Sequence, residues 1–177
     1  MASASSPAFR IARACDVPAV VALVESAYRG ESSRAGWTTE ADLLEGCRTD
    51  AAHVTELIER PASVVVLLEN GRGLVGCFHF ERRDPSTAYF GMFAVAPTEQ
   101  GAGLGRAALF EARRLATGWG CRTIDMTVLR QRDDLIAWYE RHGFRATGAT
   151  VPFPYGDDSF GRPRRDDLEF VVLSGPV

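Results

Sequence analysis

A glycine-rich turn separates an apolar stretch from a helical stretch, and it presents main-chain N–H groups to a ligand. The apolar stretch covers residues 93–97, glycines follow at Gly101, Gly103 and Gly105, and an alanine- and leucine-rich segment begins at Arg106. Glycine permits positive φ angles and lets a ligand approach the main chain closely. A helix N-terminus adds the positive end of the macrodipole. The spacing therefore predicts a binding site for the diphosphate of a phosphorylated cofactor.

Three known glycine signatures can be compared with this turn. A dinucleotide-binding GxGxxG motif needs a third glycine where this chain has Arg106. A phosphate-binding P-loop needs Gly-Lys-Ser or Gly-Lys-Thr, and the sequence contains neither tripeptide. The pattern Q/R-x-x-G-x-G/A fits without a gap from Gln100 to Gly105.

Together with two further segments, this pattern resembles the GNAT superfamily of acyl-CoA-dependent N-acetyltransferases. Residues 93–97 look like the family's strand beside the pantetheine arm, and residues 135–144 are similar to its closing helix, which ends in Tyr-Glu-x-x-Gly-Phe. The order of elements agrees from residue 9 to residue 173. The resemblance implies one N-acetyltransferase domain over residues 1–177, with residues 1–8 as an N-terminal tail and acetyl-CoA as co-substrate.

The resemblance also implies where acetyl-CoA binds. Two neighbouring strands, ending near Val95 and Leu129, would splay apart and leave main-chain groups unpaired. The N–H groups of Phe93 and Val95 would bind the thioester carbonyl and the pantetheine, and residues 101–105 would bind the diphosphate. Each donor aimed at a developing oxyanion contributes about 3 kcal/mol. The implied cofactor-binding residues are Phe93, Ala94, Val95, Gln100, Gly101, Ala102, Gly103, Leu104, Gly105 and Arg106, and no metal is implied.

The implied chemistry is direct attack of a neutral amine on the thioester, which needs a base for the ammonium proton and an acid for the departing thiolate. Tyr139 is the candidate acid, because a phenol with an ordinary pKa of about 10 suits donation to a thiolate. Core packing beside Trp138 is the alternative. Arg132 stands where the family often has Asn. The two alternatives for its side chain are a contact with an anion and exposure to solvent.

The sequence leaves the general base open. Some family members carry Glu on the strand before the glycine turn, where this chain has Tyr89. The remaining candidates are Glu25, Glu81 and His79, or a chain of ordered water. A single histidine in an apolar strand is more often a packed residue than a base.

The acceptor would lie beside the first helices and the final strands. Tyr28, Arg29, Trp37 and Tyr89 are the candidate acceptor-binding residues, with solvated charges as the alternative for the arginine. The loop 152–158, rich in proline and aromatic residues, favours a small-molecule amine over a protein. A protein N-terminal or lysine acetyltransferase and a non-catalytic acyl-CoA sensor remain alternatives. A homodimer is expected only by analogy with the family.

Composition limits the other function classes. An apolar fraction of 46% and a charged fraction of 24% are typical of one soluble domain. The net charge of −3 argues against a nucleic-acid partner. The four cysteines form no CxxC pair, which argues against zinc and fits a reducing compartment. No segment reaches the roughly 18 apolar residues of a membrane span, so we expect a cytoplasmic protein.

Hydrophobic periodicity predicts an α+β fold, with a mixed, mostly antiparallel sheet of about six or seven strands flanked by helices. The predicted strands are residues 9–14, 63–69, 74–82, 87–96, 123–129, 144–151 and 167–173. The predicted helices are residues 16–28, 41–46, 50–60, 103–117 and 133–142.

Overall fold

The computed structural model describes residues 7–177 and contains a seven-stranded sheet between two helical layers. The strands are β1 (Ala8–Ile11), β2 (Leu44–Glu45), β3 (Ser63–Asn70), β4 (Gly73–Arg82), β5 (Thr87–Val95), β6 (Thr123–Leu129), β7 (Arg145–Pro152), β8 (Arg162–Pro163) and β9 (Glu169–Pro176). The helices are α1 (Val17–Tyr28), α2 (Gly30–Ser33), α3 (Ala51–Glu59), α4 (Leu104–Gly118) and α5 (Asp133–Arg141). None of these helices is long and apolar enough to cross a membrane.

The main sheet has the strand order β1-β3-β4-β5-β6-β9-β7. Only β5 and β6 run parallel, and all other neighbours in it pair antiparallel. The connection between the two parallel strands passes through α4, as a parallel pair requires a crossover. The predicted α+β fold with its mostly antiparallel sheet is therefore confirmed.

The sheet buries both faces, which explains the unbroken apolar run of β3. Val66 and Leu68 pack on the α4 side, whereas Val65 and Leu67 pack on the α1 and α3 side. Side chains alternate between the faces of a strand, so both sets must be apolar. Alanines on the inner side of α4, among them Ala108, let the helix approach the sheet closely. This packing fixes the N-terminus of α4 relative to the end of β5.

The predicted helix over residues 41–46 is wrong. Leu43 N–H and Leu44 N–H both donate to Glu40 O, at 2.9 Å each, and this single turn does not continue. Leu44 and Glu45 instead form β2, which pairs with β8, more than 100 residues later in the chain. Gly46 follows with φ of 80°, a value that ends a regular helix. Pairing with a distant segment therefore outweighs the local helical pattern.

The other predicted elements begin and end within three residues of their predicted positions, and the differences are largest at the first and last strands. The first strand, β1, ends at Ile11, three residues before its predicted end. The last strand, β9, covers residues 169–176 and extends three residues beyond the predicted end. The predicted tail over residues 1–8 lies mostly outside the described residues, and Ala8 is the first residue of β1. The short helix α2 was not predicted from the sequence.

A bulge near the end of β5 opens the sheet. The register between β4 and β5 shifts between Cys77 and His79, and Met92 has a φ of 43°, in the left-handed region. On the other side of β5, pairing with β6 covers only residues 87–89. Beyond Tyr89 the two strands diverge, as the resemblance implied. The gap between residues 90–95 of β5 and β6 is called the wedge below.

Candidate active site

On the edge of β5 that faces the wedge, the carbonyls of Phe93 and Val95 accept hydrogen bonds from side chains, and the Val95 N–H is a possible donor to a ligand. Ala96 N–H donates to Val75 O in β4 at 2.9 Å. Because main-chain groups alternate in direction along a strand, those of Val95 point away from β4, towards the wedge. Val95 O accepts a hydrogen bond from Gln100 Nε2 at 3.1 Å, and Phe93 O accepts one from the Tyr28 hydroxyl. The Val95 N–H is thus suited to bind an oxygen in the wedge.

The glycine turn ends in the exposed N-terminus of α4. Gly101 and Gly103 have φ angles of 84° and 83°, and a Cβ on either would meet no atom within 4 Å. Gly103 is the N-cap residue, and no side chain caps the helix. The first N–H groups of a helix have no partner within it, and no acidic residue lies in the first turn of α4. The geometry of this helix end suits an anion, and its role in binding the diphosphate stays a prediction.

A cavity of about 700 Å³ joins the wedge to this helix end. Phe93, Val95 and Gln100 line it from β5 and the residues that follow. Gly101, Gly103, Leu104, Gly105 and Arg106 line it from the glycine turn and α4. Cavities of a few hundred to 1,000 Å³ are typical of sites for small ligands and cofactors. One cavity is therefore lined by both the N-terminus of α4 and the end of β5.

Tyr139 brings a buried phenol to the same cavity. Its ring packs edge-on against Trp138 and Phe144, with centroid distances of 5.0 and 5.8 Å. Its hydroxyl makes no hydrogen bond to any residue within 7–177, and the side chain lines the cavity. Burial raises the pKa of Tyr139 well above its ordinary value of 10. The phenol is therefore protonated and able to donate a hydrogen bond into the cavity.

The sequence matches the model of the acetyltransferase (GNAT) family over residues 21–144, which is more than half of the chain. The chain belongs to the GNAT acetyltransferase family. It is accordingly an acyltransferase, and its fold and glycine turn are those of the family. Among curated proteins, none matches this sequence.

Solved structures support the fold of this GNAT protein. A candidate phosphinothricin N-acetyltransferase is 19% identical, with 97% of this chain and 99% of that chain covered and a TM-score of 0.71. The ribosomal-protein-S18-alanine N-acetyltransferase from Escherichia coli is 17% identical, with 97% and 94% covered and a TM-score of 0.67. A GNAT acetyltransferase from Elizabethkingia anophelis with acetyl-CoA bound is 16% identical, with 71% and 82% covered and a TM-score of 0.56.

Two of the implied cofactor-binding residues of this GNAT domain lie apart from the cavity. The Ala94 side chain is buried on the opposite face of the sheet, in the core beneath α1 and α3. Ala102 is exposed at the tip of the glycine turn. Any contact of these two residues with the cofactor would have to come from the main chain, and their roles stay predictions.

The structure brings together only half of the candidate acceptor-binding residues. Tyr28 and Trp37 line the cavity. Arg29 is buried, pairs with Glu40 at 2.9 Å, and lines a separate cavity of about 430 Å³. The Tyr89 hydroxyl hydrogen-bonds to Thr127 Oγ1 at 2.9 Å, where it bridges the two strands at the base of the wedge.

The candidate bases all have other partners, and none of the three lines the cavity. Glu25 accepts hydrogen bonds from the main-chain N–H groups of residues 48 and 49. Glu81 pairs with Arg60 at 3.2 Å. His79 Nε2 lies 2.8 Å from Ser63 Oγ, and burial lowers the pKa of His79 to about 4. A neutral histidine on the α1 and α3 side of the sheet has a structural role.

Two residues have partners that sequence reasoning missed. Gln100 was expected to bind the cofactor, and its side chain instead contacts residues 37 and 38. Arg132 is buried rather than exposed and donates to the carbonyls of residues 37–39. These partners are more than 60 positions away in the sequence, and no local pattern indicates them. Only the replacement of the family's usual Asn by Arg132 marked that position as unusual.

Proposed function

We propose that this GNAT protein transfers the acetyl group of acetyl-CoA to a primary amine of a small molecule by direct attack. The observation that carries the proposal is the shared cavity, in which a free helix N-terminus, the Val95 N–H and the protonated Tyr139 hydroxyl meet. Each group matches one part of the co-substrate: the diphosphate, the thioester carbonyl and the departing sulfur.

Binding would begin at the glycine turn. The N–H groups at the start of α4 would hold the diphosphate, because that helix end is positive and no acidic side chain opposes it. Arg106, exposed at the rim of the cavity, adds a cation on the same side. The thioester arm would then extend along β5, where the Val95 N–H can donate a hydrogen bond to the carbonyl oxygen.

In the chemical step the amine nitrogen forms a bond to the carbonyl carbon, and the carbon–sulfur bond breaks. The Val95 N–H would stabilise the negative charge on the oxygen, a contribution of about 3 kcal/mol for one well-placed donor. The Tyr139 hydroxyl would donate its proton to the departing thiolate, which leaves as a thiol. The attacking nitrogen then loses its second proton to become the neutral amide, and a proton returns through solvent to the Tyr139 phenolate. The amine must lose its ammonium proton before it attacks, and this proton leaves through solvent. The carboxylates that line the cavity within residues 7–177, Glu99 and Asp134, are held by Arg72 and Arg132.

A closed acceptor side supports a small amine over a protein. Phe153 is buried and stacks on Phe170 with a centroid distance of 5.9 Å. Phe153 also packs with Leu44 and Leu129, so the late loop is joined to the segment after α2. The β2–β8 pair adds main-chain hydrogen bonds between the same two segments. A protein substrate needs an open groove, and we propose that the late loop, held in this way, closes one end of the acceptor side.

A panel of amines tests the proposal through the release of free thiol from acetyl-CoA. We expect turnover with at least one class of small primary amine, and none with peptides that present a free N-terminus or a lysine. Turnover of peptides alone would replace the small acceptor with a protein. Binding is measured separately by thermal shift, where acetyl-CoA at 100 times its dissociation constant should stabilise the fold by about 2.7 kcal/mol. Stabilisation without turnover of any amine would indicate an acyl-CoA sensor.

A further inference from the structure

Residues 36–39 form a strap across the mouth of the cavity. The strap follows α2 and comes back to α1, where Glu40 N–H donates to Tyr28 O at 3.1 Å. Trp37 and Thr38 line the cavity. The strap thus connects the end of α1 to the lining of the cavity.

Gln100 joins the strap to the glycine turn by its side-chain amide. Its Oε1 accepts a hydrogen bond from Trp37 N–H at 2.9 Å, and its Nε2 donates to Thr38 Oγ1 at 2.8 Å. The same nitrogen donates to Val95 O at 3.1 Å. A Cβ on Gly36 would lie 2.6 Å from Gln100 Oε1, so the strap passes directly over this amide. One side chain therefore connects the strap, the end of β5 and the first residue of the glycine motif.

Arg132 joins the strap to α5. Its Nη1 donates to Thr38 O and Thr39 O at 3.0 and 3.3 Å, and its Nη2 donates to Trp37 O at 3.1 Å. Arg132 is 6% exposed and precedes the helix that carries Tyr139. It also pairs with Asp134 at 3.1 Å. Because this buried guanidinium donates hydrogen bonds to three consecutive carbonyls, it fixes the path of the strap.

The strap in turn places an aromatic wall over the cofactor side. The Trp37 ring lies 6.2 Å from the Trp138 ring, and Trp138 contacts Gly105 in the first turn of α4. Trp37 is nevertheless 42% exposed, so its own packing does not hold it in place. Its position depends on the main chain of the strap, and therefore on Gln100 and Arg132.

We propose that Gln100 and Arg132 are positioning residues that couple the strap to the glycine turn, so that acyl-CoA in the turn orders the strap and sets Trp37 as the wall between cofactor and acceptor. This inference rests on the proposed function. A ligand shifts a conformational equilibrium only when it binds one state better. Here the bound diphosphate favours the ordered conformation of the glycine turn. The hydrogen bonds from Gln100 to the strap then favour the ordered conformation of the strap as well. By reciprocity, the ordered strap raises the affinity for acyl-CoA by the same factor by which acyl-CoA favours the ordered strap, and loss of the Gln100 hydrogen bonds removes both effects.

Hydrogen exchange with and without acetyl-CoA tests the coupling. In the wild-type chain we expect acetyl-CoA to slow exchange both in residues 101–106 and in the strap. In Gln100→Ala, slowing in residues 101–106 should persist and slowing in the strap should be lost. Thr38→Val removes the hydrogen bond from Gln100 and also the longer one, of 3.4 Å, from the Thr38 hydroxyl to Ala27 O, without a change in the glycine turn. It should therefore reduce strap protection at least about fivefold, the effect expected for one neutral hydrogen bond. Thr117→Val is the matched control, since the Thr117 hydroxyl bonds within α4 to Arg113 O.

Kinetics separate positioning from a purely structural role. We expect Gln100→Ala and Thr38→Val to raise the KM for acyl-CoA and the KM for the amine together, with a smaller change in kcat. Arg132→Lys, which keeps the charge and loses the planar fork, should do the same. A merely structural role would lower the melting temperature and leave both KM values unchanged.

The exchange experiment distinguishes the coupling, the role of Gln100 and the proposed function. Protection of residues 101–106 without protection of the strap in the wild type would overturn the coupling and leave the proposed function intact. Equal strap protection in the wild type and both Gln100→Ala and Thr38→Val would overturn the role of Gln100. Absence of protection in residues 101–106 would contradict the proposed function itself. If Gln100→Ala fails to fold, Thr38→Val gives the decisive comparison.

Discussion

The ring of Trp138 lies directly against Gly105, close enough that a Cβ on this glycine would be 2.9 Å from Trp138 Cζ2. Gly105 differs in this respect from Gly101 and Gly103, which have open space around them and positive φ angles. The three glycines of the motif therefore serve two purposes. The first two allow the backbone conformation of the turn, and the third allows an indole to cover the start of α4.

Substitution Gly105→Ala should displace Trp138 and weaken acetyl-CoA binding. Contacts below 3.0 Å require one group to move, and the ring also packs against His142 at a centroid distance of 4.3 Å. We expect the dissociation constant, measured by calorimetry, to rise about tenfold, equivalent to about 1.4 kcal/mol. Gly118→Ala is the control, because Gly118 ends the same helix, has no positive φ and would meet no atom within 4 Å. Equal affinities for the two variants would contradict the role of the Trp138 contact.

Gly103→Ala should weaken acetyl-CoA binding by a different route. The φ of 83° at Gly103 costs an alanine about 1 to 2 kcal/mol, so the turn would relax and its N–H groups would change direction. The thermal shift caused by acetyl-CoA should then be largely lost. Gly120→Ala imposes a similar strain at φ of 75°, with equally open space, beyond the other end of α4. This control should lower the melting temperature of the free protein and keep the full ligand-induced shift.

Tyr139→Phe should lower kcat about 100-fold, as is typical when a proton donor is removed, with little change in the KM for acetyl-CoA. Stability should hardly change, because the Tyr139 hydroxyl has no hydrogen-bond partner within residues 7–177. Burial raises the pKa of Tyr139, so it stays protonated and should cause no loss of kcat as the pH rises to 10. The control is Tyr155→Phe, which removes a phenol that accepts from Leu168 N–H and donates to Arg165 O in the late loop. It should lower the melting temperature and cause no comparable loss of kcat, because this hydroxyl is not a proton donor in the cavity. A kcat unchanged in Tyr139→Phe would rule out the proton-donor role.

Local features of the sequence predicted the path of the chain around the glycine turn. The glycine turn, α4 and the strands that flank it depend on φ requirements and periodicity within about 15 residues of one another. The placement of Gly101, Gly103 and Arg106 on one cavity follows directly from that local chain path. Tyr139 was predicted through the resemblance of its motif, and the structure places it in the same cavity.

The acceptor side could not be predicted in the same way, because it is built from contacts between distant segments. For Arg132 the sequence left an anion contact and solvent exposure open, whereas its partners are the carbonyls of residues 37–39. Arg29 was expected to face a substrate, and a buried pair with Glu40 satisfies it instead. Neither the contacts of Arg132 nor the Arg29–Glu40 pair can be recognised from the periodicity or the composition of the sequence.

His79 provides a pH-dependent test of stability away from the cavity. Burial is the main reason that its pKa falls from 6.5 to about 4, and its ring bonds to Ser63 Oγ at 2.8 Å. Between pH 6.5 and 4 the unfolded chain binds a proton that the folded chain does not. The free energy of unfolding therefore falls as the pH falls through this range, and the His79 contribution is fully present above pH 6.5.

We expect His79 to account for about 2 kcal/mol of the stability lost between pH 7 and pH 5. Urea unfolding of His79→Gln should show a pH dependence smaller by that amount, since glutamine can donate to Ser63 and does not titrate. His53, whose pKa burial also lowers, remains in both proteins and cancels in the comparison. The same variant should keep its acetylation rate at pH 7, because His79 packs on the α1 and α3 side of the sheet. A loss of rate without a change in the pH dependence of stability would instead identify His79 as a base that reaches the acceptor.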